Sequence, residues 1–181
     1  IYTPVLHGRH VCLCSVDDIK NALGLKNVKN PLTCGYLEMY GEKVPVDINE
    51  DFLVGPDGAH LNISGISGLA CKTSYTMFLL NALQQKHEKE LEEDEDMQSI
   101  AFVLFNLKGR DLLSIDRNGK VADADAKIYE MLGMKAKPFS NVHYYYPYSD
   151  NDVHAKTFAD KNYLSEQFSH YENASRYKYT Y

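Results

Sequence analysis

The segment from residue 60 to residue 80, HLNISGISGLACKTSYTMFLL, constrains the fold more than any other part of the chain. It begins with a short apolar run, passes through a turn of small residues to the pair Lys72-Thr73, and ends in an amphipathic helical pattern. This order is typical of a phosphate-binding loop, in which backbone N–H groups and the positive end of a helix attract anionic oxygens. The segment therefore predicts a strand at 60–64, a loop at 65–74 and a helix from about 72 to 91.

The predicted loop departs from the pattern G-x-x-x-x-G-K-S/T at two positions. Cys71 stands where the last glycine is expected, and the first glycine, counted back from Lys72, comes one residue too early. By itself the pattern is equally compatible with an ordinary strand-to-helix turn that begins a helix with Lys and Thr. The context favours a nucleotide site, because a strand precedes the loop, a helix follows it, and a second apolar segment comes after the helix.

A nucleotide site would use small loop residues, a lysine and a hydroxyl. The candidate binding residues are Gly65, Ser67, Gly68, Ala70, Cys71, Lys72, Thr73 and Ser74. Lys72 would neutralise the β- and γ-phosphates of ATP, and the Thr73 hydroxyl would ligate Mg²⁺. Asp111 follows the next apolar segment and is the candidate catalytic residue, able to polarise water or to hold the metal through water. An ordinary solvated turn is the alternative interpretation of Asp111.

The rest of the chain predicts a small β module followed by an α/β core. Residues 1–58 carry short apolar runs divided by Gly and Pro, apart from a short helix that Asp17 is expected to cap and that runs through Leu23. Residues 100–107 (IAFVLFNL) and 141–148 (NVHYYYPY) are further predicted strands, and 122–132 a further helix. We therefore expect an α/β fold, a P-loop NTPase-like parallel sheet with flanking helices, preceded by a small β-barrel-like module. The expected domains are residues 1–58 and 59–181.

Composition and charge restrict the class of protein. Over 181 residues, 44% hydrophobic and 24% charged residues allow an ordinary buried core. The net charge of −6 gives no global field that would attract nucleic acid or an anionic membrane, and no apolar run is long enough to span a bilayer. We therefore expect no association with a membrane. Cys12, Cys14, Cys34 and Cys71 lack zinc-ribbon spacing, which favours reduced thiols in a cytoplasmic protein.

The two apolar segments and their flanks, HLNISGISGLACKTSYTMFLL and IAFVLFNLKGRDLLSID, together resemble the HerA-type branch of the HerA/FtsK P-loop ATPases. The stretch VPVDINEDFLVGPDGAHLNISG is similar to that family's passage from an N-terminal barrel to the phosphate loop. The resemblance covers roughly residues 44–148, and it implies a barrel at 1–58 and the start of a motor core at 59–181. It further implies a ring-shaped, usually hexameric, ATP-driven DNA translocase of the helicase type that works with a nuclease or another effector protein.

The sequence departs from that family at its acidic positions. No later strand ending in paired acidic residues is evident before Tyr181. We therefore expect the chain to be the N-terminal part of a longer ATPase, or a truncated relative, and to hydrolyse no ATP alone. The alternative is a non-catalytic nucleotide-binding or ring-assembly module with a degenerate phosphate loop.

Overall fold

A computed structural model of the protein describes residues 5–55, 59–66, 71–94, 96–107, 111–148 and 161–178. The chain divides into two compact units. The first comprises Ile1–Lys86 together with Ile128–Met134, and the second comprises His87–Lys127 together with Lys135–Tyr181. The predicted division into 1–58 and 59–181 stays a prediction.

The first unit begins with a short helix, α1 (Val16–Ala22), and a 3₁₀ turn at Leu25–Asn27. Ser15 caps α1, because its hydroxyl accepts a hydrogen bond from the Asp18 backbone N–H while the Asp18 carboxylate accepts one from the Ser15 N–H. This reciprocal pair satisfies donors that a helix start leaves free. The predicted short helix is confirmed, but its cap is Ser15 instead of Asp17, and it runs from Val16 to Ala22.

An antiparallel hairpin of β1 (Pro31–Met39) and β2 (Glu42–Asn49) follows. Its connection is Tyr40-Gly41, and both residues have left-handed backbone angles, as the tightest hairpin turns require. The register shifts between Thr33 and Gly35, which marks a bulge in β1. A single turn of helix, α2 (Asp51–Val54), comes directly after β2.

The longest element is α3 (Cys71–Glu93), a helix of 23 residues whose part up to Lys86 belongs to the first unit. Leu79, Ala82 and Leu83 are buried, and their spacing places them on one side of a helix. The next helix, α4 (Asp123–Met131), ends before Gly133. Gly133 has a positive φ angle, which is common just after the end of a helix. The predicted helices at 72–91 and 122–132 are therefore confirmed.

The second unit contains β3 (Tyr144–Tyr148), α5 (Lys161–His170) and β4 (Ala174–Lys178). β3 and β4 pair in parallel, so that Tyr144 lies opposite Ala174 and Tyr146 opposite Arg176. Tyr144 and Tyr146 are buried with Leu113 and form the core of this unit. The Phe168 ring of α5 meets the Tyr146 ring edge-on, with 5.6 Å between centroids.

The predicted P-loop NTPase-like sheet and barrel-like module are wrong for the residues that the structure describes. The strands form two separate two-stranded sheets, one antiparallel and one parallel, and neither closes into a barrel. Residues 60–64 and 100–107 form neither strand nor helix and belong to no sheet, and the strand at 144–148 pairs with β4 instead of with them. The physical reason is that an apolar, β-prone run specifies strand propensity but not a hydrogen-bonding partner. Val103 and Phe105 are accordingly 76% and 83% exposed.

Candidate phosphate-binding site

Four consecutive residues of the predicted binding set lie at the start of α3. Cys71 is the first residue of the helix, and Lys72, Thr73 and Ser74 complete its first turn. The N–H groups of a first turn have no carbonyl partner within the helix, and the aligned peptide dipoles add partial positive charge there. The side chains of Cys71, Thr73 and Ser74 are exposed, so this end of the helix can meet a dissolved anion.

Lys72 and Gly65 are brought together by a direct contact. The Lys72 Nζ donates a hydrogen bond of 2.9 Å to the Gly65 carbonyl oxygen, so the side chain folds back from the helix onto the preceding segment. A Cβ atom placed on Gly65 would lie 3.4 Å from the Lys72 Cγ, which is van der Waals contact. A side chain as small as alanine at Gly65 would therefore touch the lysine stem without displacing it.

Three predicted loop residues, Ser67, Gly68 and Ala70, lie outside the described residues, and their role stays a prediction. The metal prediction depends on Thr73, whose hydroxyl is exposed at the helix start. In the described ranges, no group of three or more His, Cys, Asp or Glu side chains could hold a metal ion.

Asp111, the predicted catalytic residue, belongs to the second unit and opens a run of turn residues at 111–116. Its side chain is exposed, whereas Leu113 in the same turn is buried in the core of that unit. The catalytic role of Asp111 stays a prediction.

A residue that sequence reasoning missed connects α3 to the hairpin. The Tyr75 hydroxyl donates a hydrogen bond of 3.0 Å to the Cys34 carbonyl oxygen in the bulge of β1. Burial raises the pKa of the Tyr75 hydroxyl, and the neighbouring Cys34 raises it further. The two residues are 41 positions apart, and neither belongs to a recognisable motif, so no local signal could have predicted the contact.

A second polar contact holds the same helix farther along. The Lys86 ammonium pairs with the Glu50 carboxylate and also donates to the Asn30 side-chain oxygen at 2.6 Å. Glu50 is only 3% exposed, so its charge depends on such partners. The first-unit part of α3 is thus held at two points: Tyr75 bonds to β1, and Lys86 bonds to residues that flank the hairpin.

A polar cluster in the second unit involves Asp116, Tyr144 and Asn173. The Asp116 carboxylate accepts a hydrogen bond of 2.6 Å from the Tyr144 hydroxyl and one of 3.0 Å from the Asn173 side-chain amide. Burial by itself would raise the pKa of Asp116, but these two hydrogen bonds outweigh it and lower that pKa. Burial raises the pKa of Tyr144, and its hydrogen bond to Asp116 raises that pKa further. These two hydrogen bonds connect the turn at 111–116 to β3 and to Asn173, the residue before β4.

The chain was compared with family models, with curated proteins and with solved structures, and none of the three comparisons gives a match. Within the described residues, no helix combines the length and the apolar character that crossing a lipid bilayer requires.

Proposed function

We propose that residues 65–74 bind the phosphate groups of ATP together with Mg²⁺. The observation that carries this proposal is the position of Lys72, whose ammonium lies 2.9 Å from the Gly65 carbonyl at the start of a 23-residue helix. A lysine at this place brings a full positive charge to a helix end that already favours anions.

The proposed binding step is an exchange of hydrogen-bond acceptors. A phosphate oxygen carries negative charge and accepts a stronger hydrogen bond from an ammonium than a neutral carbonyl does. Lys72 would therefore leave the Gly65 carbonyl for the β- and γ-phosphates, while N–H groups of the first turn bond the same anion. The Thr73 hydroxyl would add one ligand to the Mg²⁺ ion that the triphosphate brings with it.

The resemblance of residues 44–148 to the HerA-type ATPases supports a wider proposal. In this wider proposal, the ATP-binding segment belongs to a homo-oligomeric ring of the DNA-translocating, helicase type. The ring works in the cytoplasm with a nuclease or another effector protein. Turnover would then require a carboxylate that positions the attacking water, a role for which Asp111 is the candidate on sequence grounds alone. The alternative is a non-catalytic nucleotide-binding or ring-assembly module. It differs from the translocase proposal in predicting that ATP is bound but never hydrolysed.

The direct test is calorimetric titration of the chain with ATP, inorganic triphosphate and adenosine, each with and without Mg²⁺. Phosphate recognition predicts that ATP and inorganic triphosphate bind, that Mg²⁺ strengthens both, and that adenosine does not compete with them. Failure of both triphosphates to bind at millimolar concentration would overturn the proposal. Binding of ATP and adenosine with equal affinity would overturn it as well, because the base would then be the group recognised.

A further inference from the structure

The hydrogen bond between Tyr75 and Cys34 lies one helical turn away from Lys72. Tyr75 stands three residues after Lys72, so the two side chains project from neighbouring positions on one side of α3. The Tyr75 hydroxyl reaches the Cys34 carbonyl at 3.0 Å, and its ring stacks on the Phe78 ring of the next turn, with 6.2 Å between centroids. The first two turns of α3 are thereby tied to β1 by one specific polar contact.

The other end of this contact is held in place by the hairpin. The Cys34 Sγ donates to the Val46 carbonyl oxygen at 3.3 Å, across the pair of strands. The neighbouring Thr33 hydroxyl bonds the Asp47 carboxylate at 3.0 Å. Gly35, the residue after Cys34, has a φ of +145°, an angle that residues with a side chain rarely adopt. The bulge therefore fixes the direction of the Cys34 carbonyl.

We propose that Tyr75 is a positioning residue for the phosphate site, and that it holds the start of α3 so that Lys72 and the first-turn N–H groups face the bound phosphates. This inference rests on the proposed function, because it assigns a role within the same site. Its physical basis is that binding by several donors at once depends on their alignment, so a small displacement of the helix start weakens all of these contacts together.

The test is the substitution Tyr75→Phe, which removes the hydroxyl and keeps the ring. Tyr75 is 41% exposed, so water can replace part of the lost bond, and we expect ATP affinity to fall about three- to tenfold. The affinity for inorganic triphosphate should fall by the same factor, because the defect lies in phosphate alignment. Tyr40→Phe is the matched control, since this tyrosine is 74% exposed in the hairpin turn, and its affinities should equal those of the wild type.

A double-mutant cycle with Lys72→Ala separates positioning from a general loss of stability. Binding is measured by NMR titration up to millimolar ATP, at a temperature where every variant is folded. If Tyr75 aligns Lys72 together with the first-turn N–H groups, the factor caused by Tyr75→Phe should be smaller in the Lys72→Ala background than in the wild type, because only the N–H contacts remain to be misaligned. An unchanged factor in that background, or wild-type affinity for Tyr75→Phe alone, would overturn the positioning role and leave phosphate binding itself standing. Absence of binding by the wild-type chain would instead remove the proposed function.

Discussion

The Lys72 ammonium and the Gly65 carbonyl oxygen lie 2.9 Å apart, joined by a hydrogen bond across seven positions of the sequence. The two residues are the lysine and the first glycine of the predicted phosphate loop. Their contact gives the lysine a neutral acceptor that an anionic ligand can displace. The predicted loop departs from the usual pattern at Cys71 and in the spacing of its glycines. Its lysine and its first glycine are nevertheless in contact.

Replacing Lys72 by Ala should weaken ATP binding about tenfold to a hundredfold, because a hydrogen bond from a charged donor to phosphate is lost. The fold should be retained, since the exposed first turn of α3 contributes little to the core. Calorimetry gives the affinity and thermal unfolding gives the stability. Lys20→Ala is the matched control, a lysine in α1 of the same unit, and it should bind as the wild type does. Equal ATP affinity in the Lys72→Ala and wild-type chains would contradict the role of Lys72.

The isolated chain should show no appreciable ATPase activity, with or without DNA. Hydrolysis needs a carboxylate that positions the attacking water beside the γ-phosphate. The candidate, Asp111, is exposed on a turn, and neither described strand that follows α3, β3 or β4, ends in paired acidic residues. The measurement is phosphate release at saturating ATP, compared between the wild type, Lys72→Ala and Asp111→Asn. Turnover that depends on Lys72 would prove this expectation wrong, and its loss in Asp111→Asn would identify the catalytic carboxylate.

Local signals predicted the helices well and the sheets poorly. The periodic apolar positions of α3 and the Gly133 stop signal after α4 are encoded within a few turns of chain, so both helices could be predicted. Strand partners are not encoded locally. The propensity of the apolar run at 100–107 predicts a strand of a parallel sheet, but it cannot specify which strand would pair with it. In the structure, the two core-facing tyrosines of β3 pair with β4, about thirty residues later in the chain. The contact of Tyr75 with Cys34 was missed for the same reason, because its partner is a backbone atom in a distant bulge.

Replacing Lys86 by Met should destabilise the first unit strongly. The substitution keeps the length of the side chain but removes the cation from the Glu50 carboxylate, which is almost fully buried. Breaking a buried ion pair in this way costs about 3 kcal/mol or more. Urea unfolding measures the loss, with Lys20→Met as the control for a helix lysine. The double variant Glu50→Gln with Lys86→Met should recover part of the stability, because no buried charge remains. A single Lys86→Met variant as stable as the control would refute the structural role of the pair.

Acidification should remove the stability that Tyr144 gives to the second unit. Because the pKa of Asp116 is lowered in the folded protein, the carboxylate stabilises the fold above its ordinary pKa and loses this contribution as the pH falls through the folded value, below about pH 4. Tyr144→Phe removes one of the donors that lower this pKa, so its cost in unfolding free energy should be largest near neutral pH and should shrink below pH 4. Tyr145→Phe is the neighbouring control, since that side chain is 67% exposed, and its cost should be small at every pH. Urea unfolding of the three chains at pH 7, 5 and 3 measures this difference, and an equal cost of Tyr144→Phe at all three values would contradict the linkage to Asp116.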